Sequence, residues 1–197
     1  MSATENIFSS FFSSKRLTKE YPLSAAAKNV RVNGLIGMRN MVDTATWHLK
    51  IAVENGDTMN LKFSELTQLP KTEVIFDFKC VEGWSQVTHW GGIRFSDFIS
   101  HYHLELLAKN YKYVGFLSVD KGYYVGIDIA SMMQPQTLLC YEMNDAILPM
   151  KQGYPLRLII PVKYGIKHIK QIGTIYFSNT KPKDYWAERG YDYFAGL

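Results

Sequence analysis

The chain has 197 residues, of which 47% are hydrophobic and 20% charged, with a formal net charge of +4. That composition describes an ordinary globular domain able to bury a core, and it excludes a disordered or fibrous chain. No apolar run reaches the roughly 20 residues of a membrane-spanning helix, and two cysteines, Cys80 and Cys140, do not make a disulfide framework.

In chain order, residues 1–28 read as an irregular lead-in and residues 29–197 as one domain. The lead-in is rich in Ser and Phe. It lacks a basic region followed by an apolar block, and it carries no twin arginine. The expected compartment is therefore the cytoplasm, with the periplasm as the alternative if an export signal has been removed. Residues 30–32 open a strand that ends at Asn33-Gly34. Trp47, Leu49, Ile51 and Val53 then alternate with His48, Lys50 and Ala52, Asn55-Gly56 marks a hairpin, and Met59, Leu61 and Phe63 alternate on the return. Ser64 is placed to cap a short helix through residue 69, closed by Pro70.

Residues 74–80 read as a strand. Its period-2 geometry puts Val74, Phe76, Phe78 and Cys80 on one face and Asp77 and Lys79 on the other. Two short helices are predicted next, over 96–102 and 105–110. Residues 113–119 are apolar and β-prone, followed by a turn at Asp120-Lys121-Gly122. Residues 138–143 form another apolar segment before a turn at Asn144-Asp145. Residues 155–162 read as a strand with Arg157, Ile159 and Pro161 on one face, and residues 173–178 as the last strand. The tail from residue 184 holds Tyr185, Trp186, Tyr191, Tyr193 and Phe194, and so many aromatics predict that it packs back onto the body. The total is an α+β domain, strand-rich with a few short helices.

Two features carry chemistry. Cys80 points the way the apolar face points, at the end of its strand, and is followed by Val81-Glu82-Gly83-Trp84-Ser85. A thiol so placed serves as a soft-metal ligand or nucleophile, or simply as a small buried hydrophobe, and the strand alone leaves these readings open. The second feature is the stretch 151–183, with seven basic residues (Lys151, Arg157, Lys163, Lys167, Lys170, Lys181, Lys183) and no Asp or Glu. One-sign charge of this kind asks for an anionic partner or an exposed face. No nucleic-acid-binding motif accompanies it, so a phosphate on a small ligand fits better than a nucleic acid. The solvated face is expected to take Lys151, Lys163, Lys181 and Lys183. His101 and His103, two apart in a helix, make a poor metal pair. His48 and His89 read as surface or supporting residues, and Cys140 as a buried thiol. Trp84 and Trp90 read equally as core or as walls of a site.

Three segments, taken together and in order, resemble the sulfite-oxidase-fold family of molybdopterin-dependent oxidoreductases. They are Phe78-Lys79-Cys80-Val81-Glu82-Gly83-Trp84-Ser85 with Trp90-Gly91-Gly92; Tyr113-Val114-Gly115-Phe116-Leu117-Ser118 with Asp120-Lys121-Gly122-Tyr123; and Gly153-Tyr154-Pro155-Leu156-Arg157-Leu158 with Pro161-Val162-Lys163-Tyr164-Gly165-Ile166-Lys167-His168-Ile169-Lys170. The third segment and the aromatic tail are most similar to the catalytic subunit of bacterial protein-methionine-sulfoxide reductase. Two departures stand out. The upstream Asn- and Tyr-containing cofactor segment of that subunit has no clear counterpart around residues 21–28. The stretch after Cys80 also lacks the substrate arginine of sulfite oxidases, which argues against sulfite.

The resemblance implies a sulfite-oxidase-type fold with mixed sheets and a Mo-molybdopterin cofactor. It makes Cys80 the molybdenum ligand and Ser118, Gln152, Arg157, His168, Ile169 and Lys170 cofactor contacts, with backbone N–H groups at 168–169 as further donors. The implied activity is two-electron redox by oxygen-atom transfer on a small sulfoxide or N-oxide, the alternative being a molybdopterin-binding module without efficient turnover. Reduction of such a substrate needs protons. Glu82, expected in a partly apolar pocket, is the catalytic candidate to supply them, unless it merely pairs with Lys79 or Arg94. The chain carries no haem, flavin or iron–sulfur motif, so a separate electron-transfer protein or small carrier is the expected partner.

Overall fold

The computed structural model describes residues 18–39, 41–52 and 58–197. Strands β1 (His48–Ala52) and β2 (Thr58–Lys62) pair antiparallel, with Leu49 opposite Leu61 and Ile51 opposite Met59. The alternation read from the sequence thus turns Leu49 and Ile51 inward. The Asn55-Gly56 hairpin signal and Val53 lie outside the described residues. Helix α1 (Phe63–Leu66) follows directly. Ser64 does not cap it: Lys62 is the capping residue, and its N–H donates to the Glu65 carboxylate at 2.7 Å.

Strand β3 (Lys71–Lys79) carries the inward Val74, Phe76 and Phe78. It pairs along its whole length with β4 (Ser85–Arg94), a strand not anticipated from the sequence. Gly91-Gly92 obscured it. Gly92 is there because a Cβ would lie 2.3 Å from the Leu139 carbonyl oxygen of the neighbouring strand, at a bulge in the pairing. Helices α2 (Phe95–His101) and α3 (Glu105–Asn110) come next, α2 burying Phe95, Phe98 and Ile99 at helical spacing. Then come β5 (Tyr113–Ser118), β6 (Tyr124–Asp128) and α4 (Ile129–Met132), whose cap is Asp128 accepting from the Ser131 N–H at 2.7 Å. Strands β7 (Leu138–Met143), β8 (Ala146–Ile147), β9 (Arg157–Ile159) and β10 (Ile172–Ser178) complete the fold. The strand expected over 155–162 is only three residues long, because the flanking Pro155 and Pro161 have no N–H to offer a ladder.

One sheet has the order β2-β1-β10-β5-β6, with β1 and β10 parallel and the other pairs antiparallel. The other runs β3-β4-β7-β8, and β9 also pairs with β7. A core cluster joins Leu49, Phe116 and Ile175 of the first sheet to Ile93, Leu139 and Leu158 of the second. A separate cluster, with Phe76, Phe78, Trp90, Cys140 and Ile159, covers the second sheet's other face. The architecture is α+β, as read from the sequence.

One expected element is absent. Residues 30–32 form no strand. Their carbonyls are satisfied by a side chain instead: Gln152 Nε2 donates to Val30 O and Arg31 O, each at 3.2 Å.

Candidate functional site

Beyond β3 the chain turns sharply. The Cys80 N–H donates to the Trp84 carbonyl (2.9 Å) and the Gly83 N–H to the Cys80 carbonyl (3.1 Å). This leaves Cys80 buried, 7% exposed, on the wall of an open cleft of about 120 Å³. Val81, Glu82, Tyr123, His168, Lys170, Trp186 and Tyr191 line the same cleft, together with Asn33, Gly34 and Ile36. Burial pushes the Cys80 thiol up, and the Glu82 carboxylate adds to this against the pull of the Glu82 backbone and Arg31.

Trp84 holds the turn. Its ring stacks on Phe78 with centroids 5.8 Å apart, and the Arg31 guanidinium lies 4.7 Å from its ring centroid. Its indole N–H donates to Glu82 Oε2 at 2.9 Å. Glu82 is therefore at the cleft but exposed, not in the partly apolar pocket expected for it. It pairs with neither Lys79, which meets Asp77, nor Arg94, which meets Asp97.

The basic stretch divides into paired and unpaired cations. Lys163, expected on a solvated face, is buried and meets Asp128 at 3.0 Å. Lys167 forms a buried ion pair with Asp184. The acids that balance these cations lie outside the acid-free stretch. Arg157 is fully buried on the same strand face as Ile159, as its alternation predicts. Its Nη1 donates to Gln152 O and Oε1, both at 2.9 Å, and its guanidinium lies 4.5 Å from the Trp90 ring centroid. Among the described residues its Nε and Nη2 have no hydrogen-bond partner. Burial pushes this guanidinium down to about 10. Arg157 borders a narrow crevice, too tight to admit a water molecule, also lined by Val30, Arg31, Asn33 and Gln152. Asn33 lines both cavities and stands between them.

His168 and Lys170 line the cleft itself. His168 packs against Phe76 and Phe78, and its Nε2 lies 3.1 Å from the Lys163 carbonyl while Nδ1 is buried without a partner. Nε2 therefore carries the proton and Nδ1 is a free acceptor. Burial first, then Arg157, push this imidazole down to about 3. Lys170 Nζ donates to the carbonyls of Asn33, Gly34 and Lys151 at 2.7, 2.9 and 3.0 Å. Burial and Arg157 push its ammonium down to about 6.

The remaining expected contacts are committed elsewhere. Ser118 Oγ donates to Asp120 and accepts from the Tyr123 N–H. The His168 and Ile169 N–H groups donate to Gly165 and Lys167 carbonyls, so they are not the free donors expected from the sequence. Ile169 is instead a core residue.

Several lining residues escaped the sequence reading. Asn33-Gly34 was taken only as the end of a strand, and Trp186 and Tyr191 only as packing aromatics. Tyr123 did not escape it: the turn of Asp120, Tyr123 and Tyr124 is one the sequence allows to face the site, and Tyr123 lines the cleft, buried with its OH on the Ile166 carbonyl at 2.6 Å. His89 is not a surface residue: it is buried between Glu73 (3.4 Å) and Asp145 (4.0 Å). His48 is exposed, and Cys140 is a buried thiol that packs with Trp90 and Ile159.

These residues fit a molybdopterin. A thiol is a soft ligand suited to molybdenum, while an unpartnered, buried guanidinium fork suits a phosphate. Cys80 and Arg157 are thus the residues that would hold the two ends, with His168 facing the cleft between.

Comparison with known proteins agrees. The chain is 33% identical over 187 residues to the YedZ1 protein of Azospira oryzae, provisionally named a protein-methionine-sulfoxide reductase subunit, covering 94% of this chain and 70% of that one. It is 29% identical to the protein-methionine-sulfoxide reductase catalytic subunit MsrP of Campylobacter jejuni over 82% of this chain, and 32% identical to that of Xanthomonas campestris over 71%. It spans 60% and 47% of those two proteins' lengths. The sulfane dehydrogenase SoxCD of Paracoccus pantotrophus, at 16% identity, shares the fold with a TM-score of 0.62 over 72% of this chain and 40% of that one. This is the sulfite-oxidase-type fold expected from the sequence. Among the described residues, no helix is long and apolar enough to cross a membrane. The oxidoreductase molybdopterin-binding domain matches residues 36–186, most of the chain, and the chain belongs to that family.

Proposed function

We propose that this chain is the molybdenum-bearing unit of a reductase that removes an oxygen atom from a neutral sulfoxide, with Cys80 as the thiolate ligand. The observation that carries the proposal is the Cys80 thiol on a cleft that shares Asn33 with a crevice bordered by a buried and partly unpartnered arginine. Relatives named as methionine-sulfoxide reductases support the substrate class. When bound, the cofactor supplies a two-electron centre that accepts an oxygen atom.

The chain's own residues account for the rest. Cys80 must lose its proton to ligate, and burial holds that proton in place until a metal competes for it. Glu82 stands beside it at the water-facing rim, oriented by the Trp84 indole, where a carboxyl group can carry protons between solvent and the reacting oxygen. Lys170 is the one Lys or Arg among the described cleft residues, and the carbonyls of Asn33, Gly34 and Lys151 occupy its amine. With Trp186, Tyr191 and Ile36 on the walls, the cleft suits a neutral, partly apolar substrate better than an anion such as sulfite. Relatives named as catalytic subunits support delivery of electrons by another protein.

The test is molybdenum content, pterin fluorescence and turnover in protein made by a host that synthesises the cofactor. Methionine sulfoxide and sulfite are assayed with a chemical electron donor or acceptor. Wild type should reduce the sulfoxide and ignore sulfite, and Cys80→Ser should lose at least a hundredfold in turnover. Full activity in Cys80→Ser would remove the thiolate from the mechanism. Loaded protein that turns over nothing would favour a binding module instead, a reading to which the exposed position of Glu82 lends some weight.

A further inference from the structure

The segment 30–39 crosses the site in an unusual way. It belongs to no strand, yet its backbone is anchored at both ends and in the middle by side chains from elsewhere. At one end Gln86 accepts from the Arg31 N–H (2.9 Å) and donates to the Asn29 carbonyl (3.1 Å). Gln152 and Lys170 hold the carbonyls of Val30, Arg31, Asn33 and Gly34. At the other end Gln171 exchanges two bonds with Arg39, at 2.7 and 3.0 Å.

Beyond Val30, which packs against the Phe76, Phe78 and Trp90 cluster, apolar burial contributes little to this anchorage. Val32, Leu35 and Ile36 are 38%, 56% and 43% exposed. A segment held by polar bonds with its apolar side chains in solvent opens at low cost compared with the core. Its position matters because Val30, Arg31 and Asn33 wall the crevice that Arg157 borders, and Arg157 itself has no exposed surface. No ligand of appreciable size reaches the free Nε and Nη2 of Arg157 while these walls stay in place.

We propose that residues 30–39 form a detachable strap that swings off the Arg157 crevice to admit the phosphate end of the cofactor and then closes over it. This rests on the reading that the crevice takes that phosphate. The three side chains in the middle and far part of the strap, Gln152, Lys170 and Gln171, come from the segment that carries Arg157, so an anion seated on Arg157 stiffens the same residues that hold the strap. Gly34 and Gly37, at φ 53° and 77°, supply the bends.

Trypsin reads the strap directly, because Arg31 lies within it. Protein from a host unable to make the pterin, and the same protein loaded with molybdopterin released from a donor molybdoenzyme, are digested and cleavage after Arg31 is followed by mass spectrometry. Cleavage should be at least tenfold faster without the cofactor. Gln86→Ala/Gln171→Ala removes anchors from both ends without touching the cofactor residues. At about fivefold in the open population per bond lost, it should take up molybdopterin at least tenfold faster, with the same final amount bound by pterin fluorescence. Single variants at Gln86 and Gln171 provide the same comparison if the double variant misfolds. Equal cleavage with and without cofactor, or an uptake rate unchanged by the variants, overturns the strap. Absence of pterin binding in wild type and variants alike overturns the cofactor reading itself, and the strap with it, by a result distinct from the other two.

Discussion

Replacing His168 by Gln should make the cofactor-free protein markedly less sensitive to acid. The buried ring is held neutral, at about 3, whereas an unfolded chain returns it to about 6.5. The unfolded state therefore binds the proton more tightly, and folding stability falls as pH drops from 6.5 toward 3. From pH 7.5 to 4.5 the group crosses two of those units, a loss of about 3 kcal/mol at ~1.4 kcal/mol per unit. Gln keeps a donor for the Lys163 carbonyl, which His168 Nε2 meets at 3.1 Å, but cannot titrate. It forfeits contact with Phe76 and Phe78, a cost that does not depend on pH. Urea unfolding at both pH values measures the difference. With a slope of ~2 kcal/mol per molar, the wild-type midpoint should fall by about 1.5 M more than the variant's. Carboxylates and Lys170 titrate in both proteins and cancel. Equal losses in the two proteins would refute the reasoning, because His168 would then be protonated in the folded state or open to water.

Other expectations follow from single contacts. Lys167→Met leaves Asp184 charged and buried, and should cost about 3–5 kcal/mol in thermal or urea unfolding; Lys167→Met/Asp184→Leu should recover much of that, and a loss below ~1 kcal/mol in the single variant would show the pair to be expendable. Towards a thiol reagent, cofactor-free protein should show one reactive cysteine, Cys80 on the cleft. Cys140, fully buried and pushed up to about 12 by that burial, should react only on unfolding. Gly37→Ala sets a Cβ 2.3 Å from Tyr123 Cβ and 2.8 Å from Ser118 Oγ, at a backbone φ of 77°. It should destabilise by about 2–4 kcal/mol and lower the molybdenum content, and a neutral result on both would mean the segment is not pinned at Ser118.

The strands that alternate cleanly, β1, β2 and β3, were legible because a period-2 pattern is a local property, and Cys80 inherited its direction from Val74, Phe76 and Phe78. Strand β4 was not, since paired glycines hide a strand whose glycine requirement comes from the close approach of β7. Residues 30–32 were misread as a strand for a related reason: the carbonyls of Val30 and Arg31 are satisfied by Gln152, more than a hundred residues away.

The inward direction of Cys80 and Arg157 was legible from strand alternation, whereas His168 and Lys170 came only from the family resemblance. Which of the cations is free was decided only by the fold. Lys163 and Lys167 are neutralised by Asp128 and Asp184, while Arg157 keeps two bare N–H groups. The physical reason is that side-chain direction follows from neighbouring dihedrals, whereas a buried charge is settled by whichever acid or carbonyl the distant chain brings within reach.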